Sequence, residues 1–216
     1  VIGGVAAGMS AASKIKRLDE NAEIVVYEKG TYLSYGACGL PYYVSGINED
    51  YTKMIARTKE QFEQKGIKVY IKHEVVKIEP DKKQIVVNDL ENDKQFVDNY
   101  DKLMISTGTR PIIPPIKGKE NKGVYVLKTM ENGLVLKEAL EKENVKNVVI
   151  VGGGYIGIEV AETLIHAGKN VRIVEFASKI LGPFDDEITD IITKHITEKG
   201  IKLHLEEKVE EIIGEG

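Results

Sequence analysis

The 216-residue sequence predicts an α/β fold in two domains, each opened by the same strand, glycine turn, helix and strand unit. Three observations carry this. The unit occurs twice, each copy closes on an acidic residue, and short strand-like runs separated by turn residues lie between the copies. With 42% hydrophobic and 30% charged residues the composition is that of a globular chain, which excludes disorder and collagen-like repeats. No apolar run approaches the roughly 20 residues of a membrane helix, and Val1 to Ser13 lacks the cationic flank of a signal peptide. The net charge of −4, with no dense basic block, argues against a nucleic-acid partner.

The first copy starts with Val1-Ile2-Gly3-Gly4-Val5-Ala6-Ala7-Gly8, continues as a helix over Met9 to Asp19, and ends in the strand Glu23 to Tyr27 followed by Glu28. In the second, the strand Asn147 to Val151 leads into Gly152-Gly153-Gly154-Tyr155-Ile156-Gly157. A helix to about Ala167 and the strand Asn170 to Val174, closed by Glu175, complete it. Gly152, Gly154 and Gly157 form GxGxxG between a strand and a helix, the dinucleotide-binding pattern of a Rossmann-like domain. The first glycine permits the tight turn, the second lets backbone approach a pyrophosphate, and the third lets helix and strand pack closely. Gly3 and Gly8 hold the outer positions of the first copy, where Val5 replaces the middle glycine.

The spacing from first glycine to acid is 25 residues in the first copy and 23 in the second, close to the ~20 of such units. A carboxylate there accepts hydrogen bonds from the ribose hydroxyls of an adenosine and repels a 2′-phosphate, so Glu175 favours NAD over NADP. Lys179, four residues on, is a cation able to offset such a phosphate.

Between the copies, Ile67 to Ile71, Glu74 to Glu79, Gln84 to Asn88, Lys94 to Asp98 and Lys102 to Ser106 read as strands of an antiparallel insertion. A proline-rich stretch follows, and a helix from Thr129 to about Glu143 reopens regular structure. This places one domain at 1–112 and the next at 119–216. Val209 to Ile213 reads as a strand and Gly214-Glu215-Gly216 as a hairpin turn, so the sequence has the look of a piece of a longer chain at both ends. Two nucleotide modules in one chain imply electron transfer between two cofactors.

The single cysteine, Cys38, excludes a disulfide within the chain and a multi-thiolate metal site, and fits a reducing cytoplasm. It lies in Ser34-Tyr35-Gly36-Ala37-Cys38-Gly39-Leu40-Pro41-Tyr42-Tyr43, a glycine-studded turn soon after the first acid. A helix starting near Pro41 would favour its thiolate. His73, His166, His195 and His204 have no metal-ligand spacing and read as surface or packing residues. Glu206, Glu207, Glu210 and Glu211 read as a solvated face.

The paired modules, the Ile105 to Pro111 stretch ISTGTRP and the lone cysteine in SYGACGLPYY resemble the single-cysteine flavoprotein pyridine-nucleotide-disulfide oxidoreductases. That group holds coenzyme A disulfide reductase, NADH oxidase and NADH peroxidase. The resemblance covers essentially the whole chain and implies further C-terminal parts, including a dimerisation domain. It implies FAD on the first module, with Gly3 and Gly8 at the pyrophosphate, Glu28 on the ribose, Lys29 beside the adenosine, and Thr107 and Gly108 at a second flavin-side signature. NAD(P)H, with NADH favoured, would take Gly152, Gly154, Gly157 and Glu175. Tyr155 matches a tyrosine that covers the flavin until nicotinamide displaces it, and Glu159 an acid near the nicotinamide. Cys38 matches the redox sulfur.

Ala6 stands where oxidases and peroxidases of this group usually carry a histidine, which points to the coenzyme A disulfide reductases. Ser10, Lys14 and Arg17 share one helical face and match coenzyme A contacts, with Ser34 a further substrate-side candidate. Ala37 departs from the asparagine those reductases often carry before the cysteine. The resemblance implies a disulfide or persulfide substrate for a homodimeric, cytoplasmic full-length enzyme. Its alternatives are an oxidase or peroxidase cycling Cys38 through sulfenic acid, and a reductase of a small electron-transfer protein.

Overall fold

The structure, a computed structural model, describes residues 1–214 and divides into two compact units. One comprises Val1–Ala37 and Tyr51–Arg110; the other comprises Cys38–Asp50 and the chain from Pro111 onward.

In the first unit, helix α1 (Ala6–Leu18) leads to strand β1 (Ile24–Tyr27). The short helix α3 (Lys59–Glu63) follows, while the intervening short helix α2 (Leu40–Val44) belongs to the other unit. Thr58 starts α3 with a capping box, its hydroxyl accepting from Gln61 N–H while the Gln61 side chain accepts from Thr58 N–H. Strand β2 (Ile67–Tyr70) then pairs parallel to β1, with Ile24 opposite Ile67. Single parallel bridges join Ile2 to Tyr27 and to Ile105, extending the sheet on its other side. Met9 and Ala12 of α1, Ile24 and Val26 of β1, Phe62 of α3, and Ile67 and Val69 of β2 form the core beneath it.

Strands β3 (His73–Glu79), β4 (Gln84–Asp89) and β5 (Lys94–Asn99) form a separate antiparallel sheet with an irregularity between Val75 and Lys77. Two expectations change here. Ile67–Tyr70 belongs to the parallel sheet rather than to the antiparallel insertion. Lys102 to Ser106 contributes only the bridge at Ile105, because its backbone is otherwise irregular. Tyr27 ties the two sheets together: its hydroxyl donates to Asp98 Oδ2 at 2.6 Å, and its ring packs with Ile85 and Val87.

The second unit contains helix α4 (Met130–Leu140), strand β6 (Asn147–Val151), helix α5 (Tyr155–His166), strand β7 (Asn170–Val174), helix α6 (Asp186–Glu198) and strand β8 (Lys202–His204). Its three strands run parallel in the order β6-β7-β8. Val160, Ala161 and Leu164 of α5 pack with Val171 and Ile173 of β7, Ile180 and Ile196 in its core. Val44 of α2 joins this core, and Lys137 of α4 lies over the Tyr43 ring at 4.6 Å. The strand expected over Val209 to Ile213 is reduced to a parallel bridge between Lys117 and Glu211, because its partner is the proline-flanked connector. The expected turn at Gly214-Glu215-Gly216 extends outside the described residues. No helix among the described residues is long and apolar enough to cross a membrane.

Candidate functional site

The two glycine turns have the same construction. Gly3 N–H donates to Tyr27 O at 2.8 Å and Gly152 N–H to Val174 O at 2.9 Å, with φ of 101° and 110° respectively, a backbone that L side chains rarely adopt. A Cβ on Gly8 would sit 1.8 Å from Gly3 O, and one on Gly157 would sit 2.2 Å from Gly152 O. These close approaches let each helix start against its strand. Gly154, the N-cap of α5, has no heavy atom within 4 Å of an added Cβ, so its outer side is open to a ligand. Ser106 braces the first turn, its hydroxyl donating to Ile2 O at 2.7 Å and lying 3.2 Å from Gly3 O. It sits within ISTGTRP, yet nothing in the sequence marks its hydroxyl as a brace.

Both acids are clasped by backbone. Glu28 accepts from Gly4 N–H on Oε2 and from Gly30 N–H on Oε1, each at 2.7 Å. Glu175 accepts from Gly153 N–H on Oε2 at 2.6 Å and from Ala177 N–H on Oε1 at 2.7 Å. An ionised carboxylate has about four acceptor sites, so each keeps capacity for a ribose hydroxyl.

The repeat also runs further than two strands. Ser34 N–H donates to Gly4 O and Leu181 N–H to Gly153 O, both at 2.9 Å, with positive φ at both residues. Leu33 and Ile180 lie against the same glycine of each turn. On the third strands, Tyr70 O accepts from Glu28 N–H and His204 O from Glu175 N–H. Lys72 and Glu206, each in the left-handed region, then donate to Gly30 O and Ala177 O.

The remaining candidates in the first unit are placed as follows. Lys29 Nζ lies 3.9 Å from Glu74 Oε1, an exposed pair. Thr107 and Gly108 are exposed just beyond the Ile105 bridge. Ser10, Lys14 and Arg17 share the exposed face of α1, opposite buried Met9 and Ala12, and Ala6 opens that face. Lys16, between them, is tied to Glu20 O and Ala22 O.

Cys38 sits in a 3-10 turn over Ala37–Gly39 leading into α2, and it is exposed, not a small buried hydrophobe. The helix expected near Pro41 begins at Leu40 and spans five residues.

In the second unit a cleft of about 730 Å³ opens at the ends of β6 and β7, a volume in the range of small-molecule sites. Gly152, Glu175 and Phe176 line it, with the connector Pro114–Lys117 and residues 207–211 as further walls. Glu206, Glu207, Glu210 and Glu211 are exposed, as the sequence suggested, and Glu207, Glu210 and Glu211 also line this cleft. With Glu175 they outnumber Lys117 and Lys208 and disfavour an additional phosphate. Lys179 is held by Phe184 O at 2.8 Å and Asp186 Oδ1 at 2.6 Å. Tyr155 and Glu159 are exposed on α5, and the Tyr155 ring meets Phe184 edge-on at 5.7 Å. No metal-ligating cluster occurs among the described residues; His73 packs against Tyr70 and Tyr27, and His204 Nδ1 lies 3.0 Å from Glu207 Oε1.

A family model described as pyridine nucleotide-disulphide oxidoreductase matches residues 1–216. The chain is 36% identical over 216 residues to an NAD(P)H coenzyme A polysulfide/persulfide reductase of Pyrococcus horikoshii, covering 100% of this chain and 47% of that protein. It is 34% identical to an NADH oxidase of Methanocaldococcus jannaschii, covering 99% of this chain and 48% of that one. The crystal structure of reduced Bacillus anthracis CoADR-RHD superposes with a TM-score of 0.96 at 31% identity, covering 100% of this chain and 39% of that chain. The chain thus spans about half the length of the curated relatives it matches.

Proposed function

The chain belongs to the pyridine nucleotide-disulphide oxidoreductases, and on that premise we propose that it is the two-nucleotide part of a flavoprotein that reduces a disulfide-type substrate at Cys38. The observation that carries the reading is an exposed sole thiol in a chain whose two glycine turns share the same hydrogen bonds down to the clasped acids.

Domain 1–112 takes FAD and domain 119–216 takes NAD(P)H. Both turns fit such groups: Gly8 and Gly157 leave no room for a side chain, Gly3 and Gly152 hold a backbone that L side chains rarely adopt, and Gly154 leaves its ligand side open. Gly3, Gly8, Glu28, Thr107 and Gly108 hold the first nucleotide, with Lys29 alongside. Gly152, Gly154, Gly157 and Glu175 hold the second, and Tyr155 and Glu159 stand at its nicotinamide end. The acidic cleft around Glu175 favours NADH. When bound, the pair supplies two-electron chemistry, hydride from nicotinamide to flavin and an electron pair onward to sulfur.

The chain's own chemistry is at the thiol. Cys38 thiolate attacks one sulfur of the substrate disulfide, forms a mixed disulfide and expels the other sulfur as a thiolate. One cysteine suffices because the substrate brings the second sulfur. Ser10, Lys14 and Arg17 present a hydroxyl and two cations on one exposed face, suited to the phosphates of a coenzyme A moiety; Ser34 is a further contact. Coenzyme A disulfide or a persulfide is thus the preferred substrate of a homodimeric, cytoplasmic full-length enzyme. A second reading, an NADH oxidase cycling Cys38 through sulfenic acid, is favoured by the Methanocaldococcus relative. It is opposed by Ala6, which has no proton to give at the helix start.

The test is NADH consumption with coenzyme A disulfide, polysulfide, peroxide or oxygen, by the wild type and by Cys38→Ser. Disulfide or polysulfide turnover that vanishes in the variant is expected. Turnover with oxygen alone, yielding water, selects the second reading, and full turnover by Cys38→Ser removes both.

A further inference from the structure

We propose that Asp186 is a determinant of dinucleotide selectivity, acting as a positioning residue that withholds Lys179 from the 2′ position of the adenosine ribose; the inference rests on reading Glu175 as the acid that holds that ribose. The loop after Glu175 is pinned at both ends to the turn that clasps the carboxylate. Ala177 N–H donates to Glu175 Oε1 at 2.7 Å, and Leu181 N–H donates to the carbonyl of Gly153, whose own N–H donates to Glu175 Oε2. Lys179 lies two residues from each pin. Two residues of chain span at most about 7 Å, and a four-carbon stem extends the ammonium beyond that. From that anchorage the side chain can reach a phosphate esterified to the ribose beside Glu175. Such a phosphate, set against a carboxylate, needs a cation to offset it.

Lys179 Nζ is instead tied to the residues that follow its own loop, donating to Phe184 O at 2.8 Å and to Asp186 Oδ1 at 2.6 Å. It does not line the cleft, whereas Glu175 and Phe176 do. The repeat adds an internal comparison. Leu33 and Ser34 occupy the places of Ile180 and Leu181, so Tyr32 occupies that of Lys179. The first turn therefore has no cation at this place, and the second has one that is tethered.

The pair is solvent-facing, with side chains 32% and 81% exposed, which sets a modest scale for the effect. The experiment is calorimetric titration of the FAD-loaded protein with NADP⁺ and, separately, NAD⁺, for the wild type, Asp186→Ala, Lys179→Ala and the double variant. Oxidised nucleotides keep turnover out of the readout. Asp186→Ala is expected to tighten NADP⁺ about three- to fivefold while NAD⁺ stays within about twofold, and adding Lys179→Ala is expected to abolish the gain. Asp186→Asn, which keeps a polar group in the first turn of α6, moves in the same direction and serves if the alanine variant does not fold.

Unchanged NADP⁺ affinity on freeing Lys179, or a gain that persists in the double variant and so reflects only lost negative charge, overturns the proposal. Glu175→Ala in the same series separates the premise. If that variant binds NAD⁺ as the wild type does, the reading of Glu175 falls and the inference with it.

Discussion

A methyl group at position 157 would meet Gly152 O at 2.2 Å, whereas one at position 154 would meet nothing within 4 Å. Gly154 also has φ −78° and ψ −177°, a backbone open to any residue. The two glycines of one motif therefore answer to different constraints, and alanine separates them. Gly157→Ala is expected to cost about 1–3 kcal/mol of stability through overpacking, seen as a lowered denaturant midpoint, together with loss of NAD⁺ binding. Gly154→Ala is expected to leave that midpoint unchanged and weaken NAD⁺ about tenfold, because its methyl group stands where a pyrophosphate would approach backbone. Equal loss of stability in both variants would contradict this division. Val5 holds the corresponding N-cap of α1 with a different backbone, ψ −112° against −177° at Gly154, so the two turns are not alike at this position.

Among the elements, β1 and β5 are coupled through the Tyr27 hydroxyl on Asp98. Burial first, then the bond to Asp98 and the charges of Asp98 and Tyr70, push the Tyr27 hydroxyl well above its ordinary value of 10.0. A pKa raised on folding contributes stability that is complete below the unfolded value and is lost as pH rises above it. The wild type is therefore expected to lose stability progressively above about pH 10, and Tyr27→Phe to flatten that loss. Denaturant melts from pH 8 to 11 check it, and identical alkaline slopes would refute it.

Elements differ in how far they were legible. Asn147–Val151 and Asn170–Val174 form as the sequence implies, the first as an apolar run after Asn147 and the second with buried Val171 and Ile173 alternating with exposed Arg172, each bounded by turn residues. Ile67–Tyr70 was legible as a strand but not as a neighbour of β1, since a strand's own residues do not name its partner and the α3 crossover sets it. Lys102 to Ser106 and Val209 to Ile213 have strand-like composition but secure only single bridges. The acids were found by spacing, while their backbone clasps and the Lys179–Asp186 tether depend on loop paths that spacing does not encode. Cys38 was legible by its glycine neighbours; its exposure, and the grouping of Cys38–Asp50 with the second unit, were not.

For the molecule as a whole, two compact units each carry one glycine turn and one clasped acid. Ligands that bind the native state slow local opening where they bind. Hydrogen exchange with NAD⁺ is expected to protect residues 152–157 and 175–181 while leaving 3–8 unchanged, and FAD to protect 3–8 and 28–34. Protection of both turns by either nucleotide alone would contradict separate sites. The clasped acids also bear on how such ligands are received. With both oxygens hydrogen-bonded to backbone, Glu28 and Glu175 have little rotational freedom left to lose. In the proposed role each would be a socket cast before its guest, receiving a sugar by shape and charge at first contact rather than by adjustment afterwards.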